Sequence, residues 1–161
     1  LPADFPLLVL VIQHMPAMFT EAFANRLDRT LAVRAREVTD GEALEPGCVY
    51  VAPGGRHTLV EGAGGRFRAR LEEAGDNDHY RPSVDKAFAS AAREANSHVL
   101  GVVLTGMGAD GKEGAAMLKR AGSCIWAQDE ATSVVYGMPA AVADLAHSIL
   151  SLTDISRRLG G

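Results

Sequence analysis

The stretch Leu104-Thr105-Gly106-Met107-Gly108-Ala109-Asp110-Gly111 puts one carboxylate among three glycines directly after an apolar run. Such a loop can turn tightly and expose its amide N–H groups, which suits two chemistries. In the first, Asp110 holds the imidazole of a general base, fixing its tautomer and stabilising the cation that forms. His14, at the end of the apolar run Leu7 to Gln13, is the histidine placed for that part. The backbone amide of Met107 or Gly108 would then face a developing oxyanion. In the second, Gly106-x-Gly108-x-x-Gly111 satisfies a dinucleotide fingerprint, with Asp129 spaced to take a ribose hydroxyl. An electrostatic objection stands against it: the pyrophosphate would sit at a helix N-terminus beside the charge of Asp110. Plainer roles stay open as well, with Asp110 as a helix N-cap and His14 as a structural hydrogen-bonder.

Other groups point less clearly to chemistry. Asp76, Asp78 and His79 in "DNDHY" have the side chains of metal ligands, but no matching cluster has helical or hairpin spacing, so a solvated loop is expected. Arg66, Arg68 and Arg70 alternate and share one face, which reads as solvated. "RPSVD" (81–85) reads as a helix start. There is no Gly-x-Ser-x-Gly, so no serine announces itself as an elbow nucleophile.

The elements that must carry these groups alternate. Leu7 to Gln13 reads as a strand buried on both faces, and a helix follows from about Met18 to Leu31, with Phe19, Phe23, Leu27 and Leu31 four apart. Val33 to Val38 and Gly47 to Pro53 read as strands. "HTLVE", the turn "GAGG" and "RFRARLE" then form a hairpin. Ser83 to Asn96 has a helical apolar face of Val84, Ala87, Phe88, Ala91, Ala92 and Ala95. Val99 to Thr105 is a buried strand, Asp110 to Arg120 a helix, and Ser123 to Gln128 a further strand. Ser133 to His147 reads as helical, with Gly137-Met138-Pro139 as a candidate interruption. The pattern predicts an α/β fold: a doubly wound, mostly parallel sheet flanked by helices, with a β-hairpin insertion. Chemistry in such sheets collects beyond the carboxyl ends of the strands, where the Gln13–Pro16, glycine-rich and Gln128–Glu130 loops all lie.

A length of 161 residues reads most simply as one domain with a real core. The net charge of −4, with no long basic run, argues against nucleic-acid binding. The apolar runs are too short to span a bilayer, and Cys48 and Cys124 are too far apart to suggest a paired motif. A soluble cytoplasmic protein with reduced thiols is expected.

The segments "VIQHMPAMFTEAFANRL", "DGEALEPGCVYVAPGGRH", "RPSVDKAFASAA", "GVVLTGMGADGKEGAAMLKRAG" and "AQDEATSVVYGMPAAV" together resemble the catalytic domain of the chemotaxis protein-glutamate methylesterases. The resemblance runs from about Leu1 to Ala146, and it implies hydrolysis of glutamate methyl esters on chemoreceptor cytoplasmic domains. In many members it also implies deamidation of receptor glutamines. It implies a serine, a histidine and an aspartate as catalytic groups, with no metal or organic cofactor. The histidine falls on His14 and the aspartate on Asp110, and the backbone amide that helps form the oxyanion hole falls on Met107. The family's serine sits in a glycine-rich "GASTGG" turn after the first strand. Here the opening residues Leu1 to Pro6 resemble the end of the first helix and the run into the second strand. Residues 1–161 are therefore expected to be an N-terminally incomplete catalytic domain, with the serine and the usual response-regulator receiver domain outside it. The alternative is a non-catalytic receptor-binding or regulatory module of the same fold.

Overall fold

The computed structural model describes residues 1–160, and the chain packs as two compact units, Leu1–Ser83 and Val84–Gly161. In the first unit, β1 (Val9–Val11), α1 (Ala17–Thr30), β2 (Arg34–Glu37), β3 (Ala43–Leu44) and β4 (Cys48–Val51) precede a long hairpin, β5 (Arg56–Ala63) and β6 (Arg66–Glu73). One sheet is parallel in the order β1-β4-β2, with Val49 opposite both Val9 and Ala35. All four residues of β4 are buried, as a central strand with covered faces requires. Phe5, Val33, Ala35 and Val49 form the core beneath α1, which adds Leu27 and Leu31.

The second sheet of this unit is antiparallel, in the order β3-β6-β5. It enlarges the expected hairpin by one short strand, because Ala43 and Leu44 pair with Arg68 and Phe67. The outer face of β6 carries the exposed Arg66, Arg68 and Arg70, and Arg70 forms ion pairs with Glu61 and Glu72.

The second unit contains α2 (Val84–Glu94), β7 (Leu100–Val103), α3 (Lys112–Arg120), β8 (Cys124–Gln128), α4 (Met138–Val142), β9 (Ser148–Leu150) and α5 (Leu152–Gly160). Its sheet is parallel, in the order β7-β8-β9. Val103, Ala115, Leu118, Ile125, Ala127 and Val142 form its core, with Phe88 and Ala91 of α2 packed against them. The expected class, α/β with parallel strands, flanking helices and an inserted antiparallel segment, is observed. Among the described residues, no helix is long and apolar enough to cross a membrane.

Two expectations need correction. The strand at Leu7 to Gln13 shortens to the half-buried Val9–Val11, and Leu7 is exposed. All three residues of β1 are half-buried, so the apolar run does not make a strand fully covered on both faces. The helix expected over Ser133 to His147 is replaced by a loop, the short α4 and a single 3₁₀ turn at Ala143–Leu145. His147 then leads into β9, and α5 follows. Tertiary pairing overrides helix propensity here. Gly106 N–H donates to the Val135 carbonyl at 3.0 Å, and Met138 N–H donates to the Gly106 carbonyl at 2.8 Å.

Candidate active site

His14 lies just beyond β1 in the first unit, and Pro16 is the N-cap residue of α1. The turn between strand and helix is held from behind. Thr20, fully buried in the first turn of α1, donates to the Ala17 carbonyl and accepts the Gly54 N–H, both at 3.2 Å. Gly54 then lies against the backbone that carries His14. A Cβ there would collide with the Met15 carbonyl oxygen and sit 2.5 Å from the Ala17 nitrogen and 2.6 Å from the Pro16 carbonyl carbon. Backbone cannot give way as a side chain can. Gly54→Ala should therefore destabilise the fold by about 3 kcal/mol, the upper end for overpacking, as read from the guanidinium midpoint. A midpoint equal to wild type would show that the turn relaxes freely.

The imidazole of His14 stacks on Tyr80, with ring centroids 4.8 Å apart and planes 21° from parallel. Tyr80 is carried by the loop after β6, and the anchor of that loop is a residue sequence reading passed over. His57 is fully buried on β5, and its Nδ1 accepts the Ser83 N–H at 3.2 Å. Its Nε2 therefore carries the proton and donates to Asp78 Oδ2 at 2.8 Å. Asp78 also accepts the Gly75 N–H at 2.8 Å, and Arg81 donates to the carbonyls of Asp78 and Asp76, both at 3.0 Å. The "DNDHY" segment is thus a solvated loop, as expected, with Asp76, Asn77 and His79 exposed, and it is pinned from within through Asp78. Together these elements leave an open cleft of about 390 Å³, lined by His14, Met15, Pro16, His79, Tyr80 and Arg81. Nothing in the sequence pattern marked His57, because a single histidine on a strand carries no spacing signal.

Asp110 and Met107 belong to the second unit, on the loop from β7 to α3. Asp110 is 3% exposed, and it does not cap the helix that follows it, whose N-cap residue is Gly111. Its carboxylate instead accepts two backbone N–H groups at the start of α2: Val84 to Oδ2 at 2.7 Å and Asp85 to Oδ1 at 2.9 Å. The N-cap reading was right in kind and wrong in partner. Helix N-terminal amides and charge-assisted bonds suit a carboxylate, so this acid is held rigidly in its place.

Met107 is 80% exposed at the tip of the same loop. The loop is braced by Gln128, the buried amide that ends β8. Gln128 Oε1 accepts the Thr105 N–H at 2.8 Å, and its Nε2 donates to the Thr132 carbonyl at 2.8 Å. Thr105 Oγ1 both accepts the Val135 N–H at 2.9 Å and donates to the Val135 carbonyl at 3.1 Å. Asp129, spaced as a ribose-binding acid, accepts instead from Thr132 N–H and Oγ1 at 3.0 and 2.6 Å. Gly106 pairs with the 135–138 segment. The glycine fingerprint is therefore a device for loop-to-loop packing, and its acids are committed to the protein's own amides and hydroxyls.

Asp85 is the second residue that sequence reading undervalued. Its Oδ1 accepts the Gly114 N–H from α3 at 2.7 Å. Burial pushes its carboxyl above the ordinary value and the neighbouring Asp110 carboxylate adds to the rise, against the opposing pull of the Gly114 amide.

The chain belongs to the CheB methylesterase family, which matches residues 1–159. It is 55% identical to a protein-glutamate methylesterase/protein-glutamine glutaminase of Alkalilimnicola ehrlichii, covering 99% of this chain and 41% of that protein. A similarly named protein of Pseudomonas aeruginosa is 51% identical, with 99% and 43% covered. The chain thus spans about two fifths of the length of the curated relatives it matches. The crystal structure of the Thermotoga maritima CheB methylesterase catalytic domain superposes with a TM-score of 0.93 at 38% identity, covering 99% of this chain and 85% of that one.

Proposed function

We propose that this domain hydrolyses glutamate methyl esters, and deamidates glutamines, on the cytoplasmic domains of chemoreceptors. The catalytic set we infer is Ser-His-Asp, with the serine outside residues 1–161, His14 as base and Asp110 as the carboxylate that orients it. The serine Oγ attacks the ester carbonyl carbon and gives its proton to His14. The oxyanion of the tetrahedral intermediate is met by the Met107 amide. Collapse expels the methoxy group, which takes the proton from His14 and leaves as methanol. Water then gives a proton to His14 and attacks the acyl-enzyme. The serine recovers its proton, and the glutamate carboxylate is released. With a glutamine substrate, ammonia leaves in place of methanol.

Support comes from the family, from the activities named for its relatives, and above all from one observation. Asp110 is nearly inaccessible, yet two amides of one helix turn hold its carboxylate. We place the protein in the cytoplasm, where those receptor domains lie, and propose a response-regulator receiver domain as the partner that controls access. The test uses the full-length protein with its serine and receptor fragments carrying radiolabelled methyl esters. Catalytic release of labelled methanol is expected, and no release above the receptor-only control would overturn the reading.

A further inference from the structure

Asp85 and Asp110 hold each other's helices. Asp110, at the approach to α3, accepts the Val84 and Asp85 amides of α2, while Asp85, in the first turn of α2, accepts the Gly114 amide of α3. An ordinary N-cap serves its own helix. Here each acid serves the other's, and the bonds close a ring: Asp110, the start of α2, Asp85, the start of α3, and back through Gly111 to Asp110. The ring depends on a bare backbone at Gly114. A Cβ there would sit 2.6 Å from Phe88 Cβ and 2.8 Å from the Asp85 carbonyl oxygen, so the helices approach as closely as they do only around glycine.

The two amides from α2 fix Asp110 relative to α2 alone. The loop that carries Asp110 continues into α3, which packs on α2 around Gly114, and a polar tie at the start of α3 adds a fixed register to that packing. Asp85 supplies that tie, its carboxylate accepting the Gly114 amide at 2.7 Å and the Gly111 amide as well. We propose that Asp85 is a positioning residue, clamping the start of α3 to α2 so that the Asp110 carboxylate keeps one orientation. The inference rests on reading Asp110 as the acid of the esterase site. Burial and the adjacent Asp110 charge both act on Asp85, as expected of two acids sharing one junction.

The test compares Asp85→Ala and Asp85→Asn in the full-length protein, by esterase kinetics and by the NMR signal of the Val84 amide, which donates to Asp110. Asp85→Ala should lower kcat by about 10- to 100-fold, the effect of slight misplacement of a catalytic group, with KM within about twofold. The Val84 amide proton should move upfield and exchange at least about tenfold faster with solvent. Asp85→Asn keeps an oxygen for the Gly114 amide and should restore kcat and exchange to within about threefold of wild type. Wild-type kcat and an unmoved Val84 amide in Asp85→Ala overturn the proposal. If Asp85→Ala does not fold, Asp85→Glu displaces the oxygen by one methylene and is read by the same two signals. A shifted Val84 amide with undiminished esterase activity would uphold the clamp and overturn the reading of Asp110 as the catalytic acid.

Discussion

In the full-length protein, His14→Ala is expected to lower kcat for methyl-ester hydrolysis by about 10⁴- to 10⁶-fold, with the fold intact. The magnitude follows from what the imidazole is asked to do. In the proposed mechanism it takes the serine proton, returns it to the leaving methanol and activates water, so its removal would disable both half-reactions together. His14 is half-buried and stacked on Tyr80, so truncation removes one ring face and leaves the turn held by Thr20 and Gly54. Stability should fall by no more than about 1 kcal/mol, the scale of one aromatic pair. Radiolabelled methanol release gives the rate and thermal unfolding gives the control. A rate within tenfold of wild type, in a folded variant, would remove His14 from the mechanism.

Asp110→Asn should lower kcat by about 10³- to 10⁴-fold, the scale of losing the carboxylate that orients a catalytic imidazole. Unlike His14→Ala, this change should also cost stability. Both carboxylate oxygens accept backbone N–H groups, and an amide supplies one oxygen in place of two acceptors. One N–H of the α2 start is left facing an NH₂ group, at a cost of about 1–3 kcal/mol for a buried donor without a partner. The two readouts separate the roles. A stability loss with full esterase activity would reduce Asp110 to a structural cap for α2. A kcat loss at pH 7 that exceeds any drop in folded fraction is the outcome expected of the catalytic acid.

The parts of this protein legible from sequence were those with a period or a motif. The amphipathic face from Val84 to Ala92 predicted α2, and the apolar run within Gly47 to Pro53 predicted the strand found at Cys48–Val51. Gly108 and Asp110 marked a loop with unusual demands. What stayed hidden was contact between residues without a spacing relation. His57 and Asp78 are 21 residues apart, Asp85 and Gly114 are 29 apart, and Thr105 and Gln128 are 23 apart. The helix expected over Ser133 to His147 failed for the same reason, since Thr105 and Gly106 claim the backbone of Val135 to Met138 for long-range pairing.

By itself, then, the sequence determined the α/β class, the family, and the loops on which His14, Met107 and Asp110 sit. Side-chain type and local period carry that much information, because strands and helices are read by neighbours two to four residues apart. Only the tertiary structure decided that Asp110 serves the start of α2 rather than its own helix, that Asp85 returns the bond to α3, and that Tyr80 covers a face of His14. These are hydrogen bonds and ring contacts between distant segments. A carboxylate finds its donors by position in space, and that position exists only once the chain has folded.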